Sequence, residues 1–147
     1  MGPFEPYRRR VQYYETDKMG ITHHANYIRW MEEARVDFME QMGFPYAAME
    51  EKGVFSPVTR LSCDYKRPCT FGDRVAITVR VASFDGVTLQ IAYRMTREED
   101  GTLLCEAASC HCFLNREGHF VRLKRELPDF YRALRDCEPA QSPREEP

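Results

Sequence analysis

An aspartate and two histidines fall within eight residues, directly before a stretch with helical period: Asp17-Lys18-Met19-Gly20-Ile21-Thr22-His23-His24. Free N–H groups at a helix start polarise a carbonyl and stabilise a developing oxyanion. A carboxylate beside them can attack that carbonyl or activate a water. Those are the two parts that hydrolysis of an ester or thioester needs. The same residue types also suit a plain turn, with Asp17 capping it and His23 and His24 as solvated loop residues.

The surrounding pattern says what must hold this segment. Residues 7–15 read as a first strand, and residues 16–26, with Gly20 and Asn26, as a structured loop. Tyr27, Met31, Ala34, Phe38 and Met42 then recur at spacings of three and four. That predicts a long helix with a broad apolar stripe. Asn26 is the expected N-cap, and Gly43 followed by Pro45 the stop. Glu32 and Arg35, three apart, could pair on its surface. Residues 46–52 form a helical turn.

Strands follow, each alternating apolar and polar residues: one around Leu61, Cys63 and Tyr65, one around Val75 to Val81, and one around Leu89 to Met95. Asp85-Gly86 is a two-residue hairpin signal. Residues 102–114 form a fourth strand and 119–123 a short last one, before a helix over 128–136. A long apolar helix needs more than loops to cover it. A curved antiparallel sheet wrapped around it is the simplest cover, an α+β fold. Residues 1–137 are expected as one domain and 138–147 as a disordered polar tail.

Composition narrows the classes. A net charge of −2 over 147 residues gives no broad field for nucleic acid. No apolar run is long enough to span a membrane, and the N-terminus lacks the pattern of a signal peptide. The expected setting is the cytoplasm. Six cysteines then read as reduced thiols. Cys110-His111-Cys112 invites a metal, but its C-x-C spacing has no second ligand pair, and on a strand His111 faces away from both thiols. No metal site and no cofactor are expected.

At this point the sequence resembles a known family. Tyr14, Thr16, Asp17, Gly20, His24, Asn26, Tyr27, Glu32, Ala34 and Arg35, with a second match at Tyr65, Pro68, Gly72 and Asp73, are similar to the signature of hotdog-fold thioesterases. These are the relatives of 4-hydroxybenzoyl-CoA thioesterase and of the Tol–Pal-associated acyl-CoA thioesterases. The resemblance spans residues 7–125. It implies a hotdog fold and a homodimer or homotetramer joined through sheet edges. It also implies cofactor-free hydrolysis of an acyl-CoA to free acid and coenzyme A. On it, Asp17 is the catalytic nucleophile or general base. His24 offers its backbone N–H to the thioester carbonyl, with its imidazole as a second player. Tyr14, Gly20, Asn26 and Tyr27 fall beside the substrate. Lys18-Met19 and Thr22-His23 depart from the family's usual residues, which bears on the acyl pocket rather than the reaction.

Lys66 and Arg67, next to Pro68, are candidates for coenzyme A phosphates. Arg8-Arg9-Arg10 and Arg122, Lys124 and Arg125 are others. Trp30 and Phe38 read as core or dimer surface. Two rival functions stay open: a thioesterase acting on an acyl-carrier protein, and a non-catalytic acyl-CoA binding protein.

Overall fold

The computed structural model describes residues 4–138. Its centre is helix α1, Ala25–Met42. Tyr27, Trp30, Met31, Ala34, Phe38 and Met42 are buried along one side of it, the stripe that the spacing predicts. Gly43 ends the helix at φ 93°, a left-handed conformation that glycine adopts without a Cβ clash. α2, Tyr46–Glu51, follows directly.

Five antiparallel strands make the sheet: β1 (Tyr7–Arg10), β2 (Val58–Tyr65), β3 (Arg74–Phe84), β4 (Leu89–Arg97) and β5 (Leu103–His111). Their order is β1-β3-β4-β5-β2. β3 and β4 form the expected hairpin, but its loop is the four residues Asp85–Thr88 rather than Asp85-Gly86 alone, because Asp85 Oδ1 accepts the Val87 and Thr88 amides at 2.9 and 2.7 Å. Val75, Ile77, Val81, Ile91, Met95 and Cys105 fill the inner face. α1 packs mainly over β3 and β1. The inner face of β2 is therefore less covered: Leu61 and Cys63 are half-buried and Tyr65 is 46% exposed. The eight-residue β2 is also an edge strand, with one row of backbone groups free of the sheet.

α3 (Leu123–Glu126) and α4 (Pro128–Cys137) complete the described chain. α4 buries Phe130 and Leu134, and Phe130 packs against Phe44 and Phe113 at ring distances of 5.2 and 5.8 Å.

Several sequence expectations need correction. The first strand stops at Arg10, and Tyr13–Glu15 is a 3-10 turn, because Glu15 turns inward to an ion pair. Asn26 is not the N-cap. It lies in the first turn of α1, and its amide donates to the carbonyls of Glu15 (3.0 Å) and His23 (3.3 Å). The expected last strand is one bridge, Leu114 to Phe120, and residues from Leu123 turn helical. Arg35 does not pair with Glu32. It is buried, donating to Tyr46 and Tyr93 hydroxyls at 2.8 and 2.9 Å. Of the expected tail, Glu138 accepts the Phe84 amide at 3.2 Å, and residues 139–147 lie outside the described residues.

Candidate active site

The segment before α1 folds as a small hairpin. The His23 amide donates to Glu15 O (2.8 Å), Thr16 bridges Thr22, and the Asp17 amide donates to Ile21 O (2.9 Å). Asp17 opens the turn: its carbonyl accepts the Gly20 amide at 2.9 Å and its Oδ1 accepts the Met19 amide at 2.8 Å. Gly20 closes the turn at φ 81°, where a side chain would be strained. The β2–β3 connection braces the hairpin. Ile21 bridges Thr70, Thr70 Oγ1 donates to Gly20 O (2.6 Å), and the Thr22 amide donates to Cys69 O (2.8 Å). Asp17 is half-buried, and Oδ2 has no partner among the described residues.

His24 stands at the start of α1. Its amide has no acceptor among the described residues, whereas the next one, of Ala25, donates to His23 Nδ1 at 3.1 Å. The His24 carbonyl accepts the Tyr65 hydroxyl at 3.0 Å, and its ring stacks on His23 at 4.3 Å. Burial and the neighbouring Cys63 push the Tyr65 phenol up to about 12, so it stays a donor at neutral pH.

His24, Tyr27, Lys66 and Arg67 line one groove of about 280 Å3, with Ile21, Thr22, Tyr65 and Pro68. Neither Lys66 nor Arg67 makes an ion pair among the described residues. Asp17 is not among the residues lining this groove in its own chain. Tyr14 is 78% exposed on the 3-10 turn. Thr16 donates to Tyr13 O (2.8 Å) rather than to Asp17. Gly20 and Asn26 shape the loop. Tyr27 is buried, its hydroxyl 3.4 Å from Cys69 Sγ. His111 is buried on the inner face of β5, 2.8 Å from Ser109 Oγ; burial and then the charge of Arg35 push it down to about 4, so it is neutral.

The residue that sequence reasoning missed is Glu15. It is 4% exposed and ionically paired with Arg9. Oε1 accepts the Gln12 amide at 2.8 Å, and Oε2 accepts the Trp30 indole N–H at 3.1 Å. Arg9 also reaches Glu33 at 2.9 Å, so it is spent inside the protein and is no free phosphate ligand. A glutamate ending a short strand looks solvent-facing in sequence. Only the alternation break at Tyr13-Tyr14-Glu15 hinted otherwise.

Burial alone would raise the Glu15 carboxyl. The Gln12 amide, the Trp30 indole and the Arg9 guanidinium more than offset this and hold it below its ordinary value. A lowered carboxyl contributes stability that is present above the ordinary glutamate pKa of ~4.3 and lost as pH falls through the lower folded value. The thermal midpoint of the wild type should therefore approach that of Glu15→Gln as acid is added. A gap between the two that stays constant down the acid range would show that the pair carries no such linkage.

A five-stranded antiparallel sheet on a long central helix, with a carboxylate-bearing hairpin at the helix start, is the hotdog fold. The Thioesterase-like superfamily matches residues 11–135, and the chain belongs to that family. Bacillus subtilis YneP, provisionally named an acyl-CoA thioesterase, is 34% identical over 84% of this chain and 89% of its own. The acyl-CoA thioester hydrolase YbgC of Escherichia coli O6:H1 is 31% identical over 67% of this chain and 72% of its own. The crystal structure of a DHNA-CoA thioesterase from Staphylococcus aureus superposes with a TM-score of 0.85 at 31% identity, covering 90% of this chain and 89% of that one.

Proposed function

We propose that the protein hydrolyses an acyl-CoA thioester to a free acid and coenzyme A. The observation that carries this reading is the His24 amide, without an acceptor among the described residues, at the start of the eighteen-residue α1, with His24 in a groove lined by Lys66 and Arg67. That amide and the helix dipole would hold the oxyanion, and one such donor is typically worth ~2.7–4 kcal/mol in the transition state. Asp17 either attacks the carbonyl carbon, forming an anhydride that water then opens, or takes a proton from the attacking water. In both routes the C–S bond breaks, and the coenzyme A sulfur leaves as thiolate and gains a proton. Lys66 and Arg67 pair with phosphates of the coenzyme. The names of YneP, YbgC and the Staphylococcus aureus enzyme support coenzyme A as the carrier. Residues 4–138 work as one domain, and six free thiols suit the reducing cytoplasm. No helix among the described residues is long and apolar enough to cross a membrane.

A panel of short, long and aromatic acyl-CoA esters, followed with a thiol reagent, tests the reaction. Steady release of coenzyme A from at least one ester is expected. Tight binding with no release would favour the binding-protein reading, and release only from acyl-carrier-protein thioesters would move the substrate to that carrier.

The reading also makes the protein a homodimer or a dimer of dimers. The open edge of β2 and the uncovered inner face around Leu61, Cys63 and Tyr65 are one continuous region. A second chain paired there satisfies the edge and closes the groove from the side that α1 leaves bare. Light scattering at micromolar concentration should give twice or four times the mass of the chain. A monomer would remove the shared site.

A further inference from the structure

We infer that Glu15 is a positioning residue for the reaction, locking the Asp17 turn and the His24 amide into one rigid unit through its side chain and its own carbonyl together. The inference rests on the thioesterase reading for its kinetic consequence, but not for its structural one.

The geometry is unusual for a loop. The Glu15 side chain bonds three separate parts of the fold: Arg9 in β1, the Gln12 amide before the 3-10 turn, and Trp30 in α1. Its carbonyl accepts two more bonds, from the His23 amide and from Asn26 in the first turn of α1. One residue thus ties together β1, both arms of the hairpin and the helix start. Asp17 is two residues after it, and His24 is one residue after its partner His23. The backbone of Asp17 is tied only within its hairpin, to Ile21 and Gly20, and His24 is held through its carbonyl, by the Tyr65 hydroxyl and the Tyr27 amide, among the described residues. Among the described residues, the Asp17 carboxylate is held by the Met19 amide alone, within its own turn, and the His24 amide has no acceptor.

The charges around the lock agree. Arg9 lies over the Trp30 ring at 5.0 Å and bonds both Glu15 and Glu33; Tyr7 donates to Glu33 at 3.1 Å. Arg9 is largely buried, so losing the Glu15 charge leaves a buried cation with one fewer partner. A hydrogen-bond network of this kind rigidifies when it is fully satisfied and loosens when one member is removed. A shift of about 1 Å between a nucleophile and its carbonyl can cost as much as ~10²-fold in rate. Lys66 and Arg67, the proposed phosphate ligands, lie on the β2–β3 connection, and neither bonds to Glu15 or Arg9 among the described residues.

Three variants test this: Glu15→Gln, which keeps shape and loses charge; Arg9→Met, which removes the cation; and Trp30→Phe, which drops the indole N–H and keeps an aromatic ring. For each, kcat and KM are measured per folded oligomer well below its thermal midpoint, and amide hydrogen exchange is followed along the chain. The expected result is a kcat lowered about tenfold or more with KM within about twofold. The Arg9→Met, Glu15→Gln double variant should be little worse than either single one, because both break the same unit. The amides of Asp17 and His23 should exchange faster, while those of β4 keep wild-type protection. If Glu15→Gln does not fold, the other two variants carry the same expectation. Loop amides as protected as in the wild type would overturn the lock, even if the wild type proved to hydrolyse no acyl-CoA. Variants that lose stability but keep kcat within twofold would reduce Glu15 to a structural role and overturn the kinetic claim.

Discussion

Asp17→Ala should give a folded oligomer whose acyl-CoA turnover is at least ~10²-fold below wild type, the low end for removing a positioned acid or base. The fold should survive because the carboxylate contributes little packing. It is half-buried, and among the described residues its one side-chain bond is to the Met19 amide in its own turn. Gly20 and the bridge from Thr16 to Thr22 keep the hairpin closed without it. Asp17→Asn should be similarly poor, since the amide keeps the size and loses the basic oxygen. Asp17→Glu should retain a trace, because the group survives but moves by a methylene. His24→Ala should cost less than Asp17→Ala, because alanine still offers the backbone N–H. A folded Asp17→Ala protein with turnover within a few-fold of wild type would remove the proposed chemistry.

Replacing Lys66 and Arg67 together by alanine should raise KM by about tenfold or more while kcat changes little. Each charge-assisted contact to a phosphate is worth roughly 1.5–3 kcal/mol, reduced at this exposed position by solvent. Phosphates sit far from the reacting carbonyl, so these contacts are equal in ground and transition states. Their loss should therefore appear in KM, and raising the salt should weaken wild-type binding and leave the double variant nearly unchanged. Steady-state kinetics at two ionic strengths reads both effects. A large fall in kcat at constant KM would mean that Lys66 and Arg67 act on the loop, not on the coenzyme.

Much of the frame was legible in the sequence because it rests on local signals. The stripe from Tyr27 to Met42, the stop at Gly43 and the Asp85-Gly86 turn each depend on neighbours a few residues away. The segment holding Asp17 and His24 was legible as a loop before a helix for the same reason. What the sequence concealed depends on distant partners. Glu15 reads as one more strand residue until Arg9 and Trp30 are brought against it. Asn26 fits the N-cap preference, yet a carbonyl eleven residues back claims its amide. Arg35 looks like a surface partner for Glu32, and tertiary packing gives it Tyr46 and Tyr93 instead. Residues 119–123 have strand-like composition but find a single bridge, because the chain turns helical at Leu123 and leads into α4, whose Phe130 and Tyr131 pack on Phe113 and Phe84.

The most direct test of the account is hydrolysis in water enriched in 18O, with the best acyl-CoA of the panel as substrate. Free acid and coenzyme A should appear in equal amounts, the acid should carry solvent oxygen in its carboxylate, and the formation of both products should fall at least ~10²-fold with Asp17→Asn in a folded oligomer. Intact acyl-CoA after prolonged incubation with the wild type, or equal product formation by Asp17→Asn, would contradict the account.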